Sequence, residues 1–392
     1  MNDPEVKLTL NQVQRYETCK ALLEGRLTTD EAADALGLSP RQVLRLKRRA
    51  RDHGPQGLIH RNTGRPPPNR TPEDLKQRAL DLATTRYAHF NFSHLADTLA
   101  EEHGLLLSDE TLRRWLRPRG HGRPPRRGKH RRRRTRRSRE GELLFLDGSP
   151  HPWFGPDYPP CCLLLSSDDA TGKPLWGKFQ PEEDRDGCFE VCYQVFTAFG
   201  LPGAFYLDRA SQFTTTRHGG LRVAQNPDPE PTHFEQAMSQ LGIGLIFAYS
   251  PQARGRGERL NGTFQDRLVA ELAHRKITEA RRATDYLNAS FIPRYRRRFG
   301  HAPADPRPAW RPVPAGLELR AVLSAKFSRV VANDHTIRFG GRTYQLLPPP
   351  TCPSLARSPI EVQQWFDGTV HFWHGRHGAI AAKRLRRRGK SH

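Results

Sequence analysis

Acidic residues are scarce relative to basic ones: 41 Asp and Glu stand against 64 Lys and Arg, a formal charge of +23, with a pI near 10.4. The partner such a surplus selects is a large polyanion, and nucleic acid fits it better than a membrane surface. Long apolar runs are missing: nothing approaches the roughly 18 residues that a membrane span requires. The start "MNDPEVKLTL" also lacks the basic-then-apolar layout of a secretory leader. The expectation is a cytoplasmic protein with no membrane partner. Paired CxxC spacing is absent too. The six cysteines, Cys19, Cys161, Cys162, Cys188, Cys192 and Cys352, therefore argue against a disulfide frame or a structural zinc site and read as reduced and buried.

Charge and turn residues divide the 392 residues. "LIHRNTGRPPPNRTPED" (58–74) has no periodicity and reads as a linker. From 117 to 139, thirteen of 23 residues are Lys or Arg and none is acidic. Self-repulsion, Pro and Gly keep that stretch from packing, so it reads as an extended arm, with Arg131, Arg132, Arg133 and Arg134 at its centre. "HAPADPRPAWRPVPAG" (301–316) is a second Pro-rich break. The resulting divisions are 1–57, 58–116 with its linker, the arm 117–140, a core 141–300, a unit 317–375, and a basic tail 376–392.

Within the first unit, Thr28 and Glu31 form a capping-box start, Gly37 ends that helix, and Ser39-Pro40 opens the next. Ala33, Gly37 and Val43 carry the offsets of a helix-turn-helix, where a small residue lets the helices approach and glycine makes the turn. The second helix then presents Arg41, Arg45, Arg48 and Arg49 outward, as a major-groove reader does; the plainer alternative is a helical hairpin with a solvated basic face. "SHLADTLAEEHG" followed by "LSDETLRRWLR" repeats the plan, with Ser108 as cap and Arg113 and Arg114 outward. Two reading heads imply a long or bipartite DNA site.

After the arm the pattern changes. "ELLFLDGS" reads as a strand ending in Asp147, "PCCLLLSSDDATGK" with "PLWGKFQ" as a hairpin, and "DGCFEVCYQVFTAFG" as a helix. "PGAFYLDRAS" is a strand ending in Asp208, followed by the helix "THFEQAMSQLG" and the strand "IGLIFAYS". The order is three strands, helix, strand, helix, strand, helix: an α/β sheet of mixed sense. Parallel neighbours in such a sheet would set Asp147 and Asp208 side by side. Glu258 follows the last strand on a helix opened by Ser250 as cap and Pro251.

Three carboxylates so placed repel one another unless a cation lies between them, and an all-oxygen donor set suits two Mg²⁺ or Mn²⁺ ions. Arg254, Arg256 and Arg259 around Glu258 would take DNA phosphates beside the ions. Taken singly, an Asp at a strand end is a turn residue and a Glu among arginines a surface ion pair. Asp168 and Asp169 also follow a strand and compete as ligands, although "DDATGK" reads better as a hairpin turn.

"LFLDGSPHPWFG", "SSDDATGK", "YLDRASQF", "LGIGLIFAYSPQARGRGERLNGTFQDRLVAEL" and "YRRRFG" together resemble the ISNCY-type insertion-sequence transposases of the DDE transposase and retroviral-integrase superfamily. The resemblance spans roughly residues 10–350. It implies an RNase H-like core with Asp147, Asp208 and Glu258 as catalytic metal ligands, bacterial DNA ends and target DNA as partners, assembly as a dimer or tetramer on DNA, and no small-molecule cofactor. The last unit alternates apolar and polar residues around Asn333-Asp334, Gly340-Gly341 and Asp367-Gly368, giving hairpin turns and a small β-barrel. The expected fold is thus multidomain: all-α helix-turn-helix units, an α/β core and a barrel. The competing functions are a DNA-binding regulator with a structural core and a metal-dependent nuclease that does not join.

Overall fold

The computed structural model describes residues 8–60, 62–63, 70–122, 135–208, 231–247 and 255–385, the side chains at 255, 256 and 258 excepted. The chain forms two compact units, Met1–Gln77 and Arg78–His392. In the first, α1 (Leu10–Leu23), α2 (Thr29–Leu36) and α3 (Pro40–His53) enclose Leu22, Ala32, Ala33 and Val43. The Thr28–Glu31 capping box forms as its sequence dictates, and Ser39 makes a second box with Gln42. Gly37 sits at φ 60°, the left-handed conformation a glycine tolerates, so the chain turns there and α3 returns against α1 and α2.

The second unit opens on helices. Here α4 (Glu73–Thr85), α5 (Phe92–His103) and α6 (Asp109–Leu116) bury Leu80, Tyr87, Leu95, Leu99, Leu112 and Leu116. Asn91 caps α5, and Ser108 caps α6 by accepting from Thr111 N.

The central sheet has the order β3-β2-β1-β4-β5, from β1 (Leu143–His151), β2 (Cys161–Asp168), β3 (Pro174–Gln180), β4 (Ala204–Leu207) and β5 (Gly244–Phe247). The first three are antiparallel, while β4 lies parallel to β1 and β5 parallel to β4. Period-two alternation gives the sheet two apolar faces. One carries Leu144, Leu146 and Leu164 and is covered by α7 (Arg185–Phe199) and α8 (His233–Gln240) through Phe189, Phe196, Phe234 and Met238. The other carries Leu163, Leu165 and Phe179 and takes α9 (Gly255–His274) through Phe264, Leu268 and Leu272. It is completed by α10 (Ala280–Tyr286) and α11 (Ile292–Phe299), joined through a π turn at Leu287–Phe291.

The Pro-rich stretch 301–316 is strapped along this core rather than spanning free. Leu201 and Arg311 exchange backbone hydrogen bonds of 2.7 and 2.9 Å, and Trp310 stacks on Phe199. The Arg311 guanidinium donates to the carbonyls of Pro202, Leu241 and Gly242. Proline suits such a strap because its extended backbone needs few partners of its own.

After α12 (Leu319–Val322) come β6 (Ser324–Val330), β7 (Thr336–Phe339), β8 (Arg342–Leu347), β9 (Pro359–Trp365), β10 (Val370–His374) and β11 (Gly378–Leu385). They make one antiparallel sheet in the order β6-β9-β10-β11-β8-β7. Gly340-Gly341 and Asp367-Gly368 turn true hairpins, β7–β8 and β9–β10. Asn333-Asp334 does not: β6 pairs with β9, so that turn links the two edge strands, which meet where Phe327 lies 5.1 Å from Phe339. Among the described residues no helix is long and apolar enough to cross a membrane.

Candidate active site

Phe145, Asp147 and Ser149 occupy alternate positions on β1 and so face α9 rather than α7. Asp147 is not the last residue of its strand. β1 continues four residues further because β2 pairs with it as far as His151↔Cys161, whereas the parallel ladder to β4 stops at Phe145↔Tyr206. Continuing that parallel register by two residues sets Asp147 level with Asp208, which follows the end of β4. Phe145 and Tyr206, one alternation earlier on the two strands, have their rings in edge contact at 5.6 Å.

The first turn of the described α9 abuts the same carboxylate. A Cβ built on Gly257 would stand 3.5 Å from Asp147 Oδ2, so a larger side chain there would grow into the space beside it. Asn261 Nδ2 donates to that Oδ2 at 2.9 Å, and Gln265 Nε2 donates to Ser149 Oγ at 3.1 Å. Four residues of helix rise about 6 Å and two of strand about 6.6 Å, so this polar pair fits both periods and fixes α9 along β1. Glu258 lies between Gly257 and Asn261 on this helix; its side chain is outside the described atoms. Residues 248–254, with Ser250, Pro251 and Arg254, are also outside them.

Asn261 and Gln265 were not singled out from the sequence. The signal was present: they are amides in the neighbourhood of the apolar stripe of Leu260, Phe264 and Leu268, three and seven residues after Glu258.

Asp168 and Asp169 are engaged elsewhere. Asp168 pairs with Leu144, toward the other end of β1 from Asp147. Its buried carboxylate accepts from Gly141 N, Thr171 N and Thr171 Oγ1, closing the β2–β3 turn, and burial raises its carboxyl in spite of those donors. Asp169 Oδ2 accepts from Arg137 N. All six cysteines are buried and free; Cys162, beside Glu183 and Asp147, is pushed up to about 12, mainly by burial. Among the described residues no group of three or more His, Cys, Asp or Glu is placed to hold a metal ion, the Glu258 side chain not being one of them.

On the DNA-facing candidates, Arg41, Arg45 and Arg48 are exposed along one side of α3, with Arg48 3.7 Å from Asp52. Arg114 is exposed on α6, whereas Arg113 is held within its own helix by Glu110 and Asp109 and lies over Phe92. Arg259 is exposed on α9. Arg131, Arg132, Arg133 and Arg134 fall outside the described residues, and only the backbone of Arg256 is described.

The far half of α9 joins the helices before the arm. Asn91 meets Asp266, and Arg267 donates to Asp97 and Ser93 at 2.9 Å each. Buried Glu271 accepts from Tyr286 and Arg294 on one oxygen and faces His94 Nε2 at 3.0 Å on the other. Burial alone would raise the Glu271 carboxyl, but the His94, Tyr286 and Arg294 groups around it overrule that and hold it at about 2. Burial keeps the His94 imidazole below its ordinary value; with Nε2 facing Glu271, its Nδ1 has no hydrogen-bond partner among the described residues.

Comparison with known proteins follows this layout. The family model "Helix-turn-helix domain" matches residues 14–67 and "Homeodomain-like domain" matches 42–116. The chain is 34% identical over 377 residues to y4bF of Sinorhizobium fredii, which is named as a transposase, covering 94% of this chain and 80% of that protein. It is 30% identical over 371 residues to the transposase for insertion sequence IS1202 of Streptococcus pneumoniae, covering 86% and 78%. Among solved structures, an HTLV-2 integrase catalytic core domain in complex with magnesium aligns at 15% identity with a TM-score of 0.28, over 38% of this chain and 84% of that one. A chain of a simian T-cell lymphotropic virus intasome aligns at 15% with a TM-score of 0.32, over 68% and 86%.

Proposed function

The chain belongs to the insertion-sequence transposases, and from that premise we propose that its core is of the DDE transposase and retroviral-integrase kind and that the chain binds the ends of its element, cleaves DNA there and joins the freed strand to target DNA. The observation that supports this reading is the parallel β1–β4 register up to Phe145↔Tyr206, which, continued by two residues, would bring Asp147 level with Asp208, with Asp147 beside the first turn of the helix bearing Glu258. The sheet order, with three antiparallel strands and two parallel additions, supports an RNase H-like core. The C-terminal sheet, whose edge strands are consecutive in the chain, supports a small barrel.

The donor set fits hard divalent cations: an Asp on β1, an Asp just past β4 and a Glu on the covering helix offer oxygen only. Asp147, Asp208 and Glu258 would hold two Mg²⁺ or Mn²⁺ ions, which when bound activate the attacking oxygen and stabilise the leaving one. The chain does the rest. α3 reads the end, α6 adds a second contact, and the 117–140 arm with Arg254, Arg256 and Arg259 neutralises phosphates. Water opens one phosphodiester and leaves a 3′-hydroxyl; that hydroxyl then attacks a target phosphorus and displaces a target 3′-oxygen. One P–O bond forms and one breaks, so joining needs no nucleotide and no covalent protein intermediate. The active form is a dimer or tetramer on DNA, because both ends have to be held together and joined to one target.

The test is an assay with labelled end DNA, target plasmid and Mg²⁺. Joined product is expected; cleavage without joining would make the chain a nuclease, and binding alone a regulator. A second expectation concerns Asn261. Groups that orient metal ligands typically contribute 10- to 100-fold to metal affinity or activity. Asn261→Ala should therefore move the Mg²⁺ midpoint of cleavage up by about tenfold or more with end binding unchanged. A Mg²⁺ titration identical to wild type would show that Asn261 does not orient Asp147.

A further inference from the structure

On α3 the apolar residues divide. Val43 and Ala50 are fully inside and Leu46 packs against Cys19, Ala50 and Leu58, but Leu44 is 51% exposed. It lies one helical turn from Arg41 on one side and from Arg48 on the other, beside exposed Arg45. It is also in the N-terminal half of the helix, the part of a recognition helix whose side chains reach base edges. An isoleucine-sized apolar group standing among guanidinium groups has one chemical match in the major groove: the 5-methyl of thymine, the groove's apolar mark.

We infer that Leu44 reads a thymine methyl group in the element's end, set between the arginines that take neighbouring bases and phosphates. The inference rests on α3 being the reading helix. Charge selects the occupant. α3 carries Arg41, Arg45, Lys47, Arg48, Arg49 and Arg51 against Asp52 alone, so a second copy of this face would be repelled where the DNA backbone is attracted.

The experiment uses the full chain and a duplex from the element's end, with each thymine replaced in turn by deoxyuridine, which lacks the methyl. Affinity is read by fluorescence anisotropy at one salt concentration. One position should weaken wild-type binding by about fourfold, the value of burying a methyl-sized group. Leu44→Ala should weaken binding to the thymine duplex by a similar factor and abolish the effect of deoxyuridine at that position. Leu44→Met should retain it, and affinity for random DNA should stay at the wild-type level for both variants. If Leu44→Ala responds to every deoxyuridine as wild type does, or if it changes only the sedimentation of the protein, Leu44 does not read thymine. Arg41→Ala and Arg45→Ala separate this failure from that of the helix as a whole. Should they weaken end and random DNA equally, α3 touches phosphates only and the premise itself falls.

Discussion

Asp147→Asn, Asp208→Asn and Glu258→Gln are each expected to lower cleavage and joining by more than about a hundredfold in Mg²⁺, the scale of removing one catalytic electrostatic element. Binding to end DNA should stay near wild type. The asymmetry is expected because the arginines proposed to read the end are on α3, within Met1–Gln77, and the proposed metal ligands belong to the separate unit Arg78–His392. Each amide keeps the shape of the side chain it replaces and removes only the negative oxygen. The measurement is single-turnover cleavage of labelled end DNA beside anisotropy binding to the same duplex. Any variant that keeps more than a tenth of wild-type cleavage removes its residue from the set of ligands. Asp168→Asn is the informative contrast. That carboxylate is occupied by two donors of Thr171 in the β2–β3 turn and by Gly141 N ahead of β1, so its loss should appear as lower stability with the metal requirement unchanged.

Glu271→Ala should have the largest effect on stability. Removing one partner of a buried ionic group leaves the others uncompensated and costs about 3–5 kcal/mol. Here Arg294 and Tyr286 lose the oxygen they share, and His94 Nε2 loses its carboxylate. Urea unfolding followed by tryptophan fluorescence measures it, with Arg307→Ala as control. That ion pair is at the surface, where solvent screens it, so the control should lose far less stability than Glu271→Ala. A loss this small in Glu271→Ala would sink the idea of a buried charge.

The pH dependence has a fixed sign. The folded Glu271 value, about 2, lies below the ordinary 4.5, so its contribution is full above about pH 4.5 and fades as pH falls toward 2. His94 is likewise depressed from 6.5, so acidification below that value already favours the unfolded chain. Wild type should weaken in two stages, and the lower one should be missing in Glu271→Ala.

Local chemistry made much of this legible. Thr28 with Glu31, Gly37 and Ser39-Pro40 define α2 and α3 without reference to anything distant, because a cap and its partner lie within four residues. The strand and helix order of the core followed from periodicity. The turn at Asp168 followed from its Asx-type chemistry. What did not show was whatever depends on one element crossing another. The extent of β1 beyond Asp147 is set by β2, not by its own Gly148 and Pro150. Asn261 and Gln265 gain meaning only once α9 is known to lie along β1. The strap at Trp310 and Arg311 read as a break because proline-rich backbone looks alike whether loose or pinned. Asn333-Asp334 read as a hairpin turn because it has the residues of one; only the pairing of β6 with β9 shows otherwise.

β1 has two kinds of neighbour, and they differ in how far apart they lie along the chain. It meets β2 through a nearby reversal, with His151 opposite Cys161, but Phe145 waits for Tyr206 and Asp147 for Asn261, 114 residues away. Closing a longer loop takes more chain entropy, so the hairpin can form early and the long-range pairings late. During synthesis the ribosome has to deliver α9 before Asp147 has the helix that orients it. A product broken off before residue 255 would therefore carry helices α1 to α3 and a β1–β2–β3 hairpin sheet but leave Asp147 without the Asn261 amide.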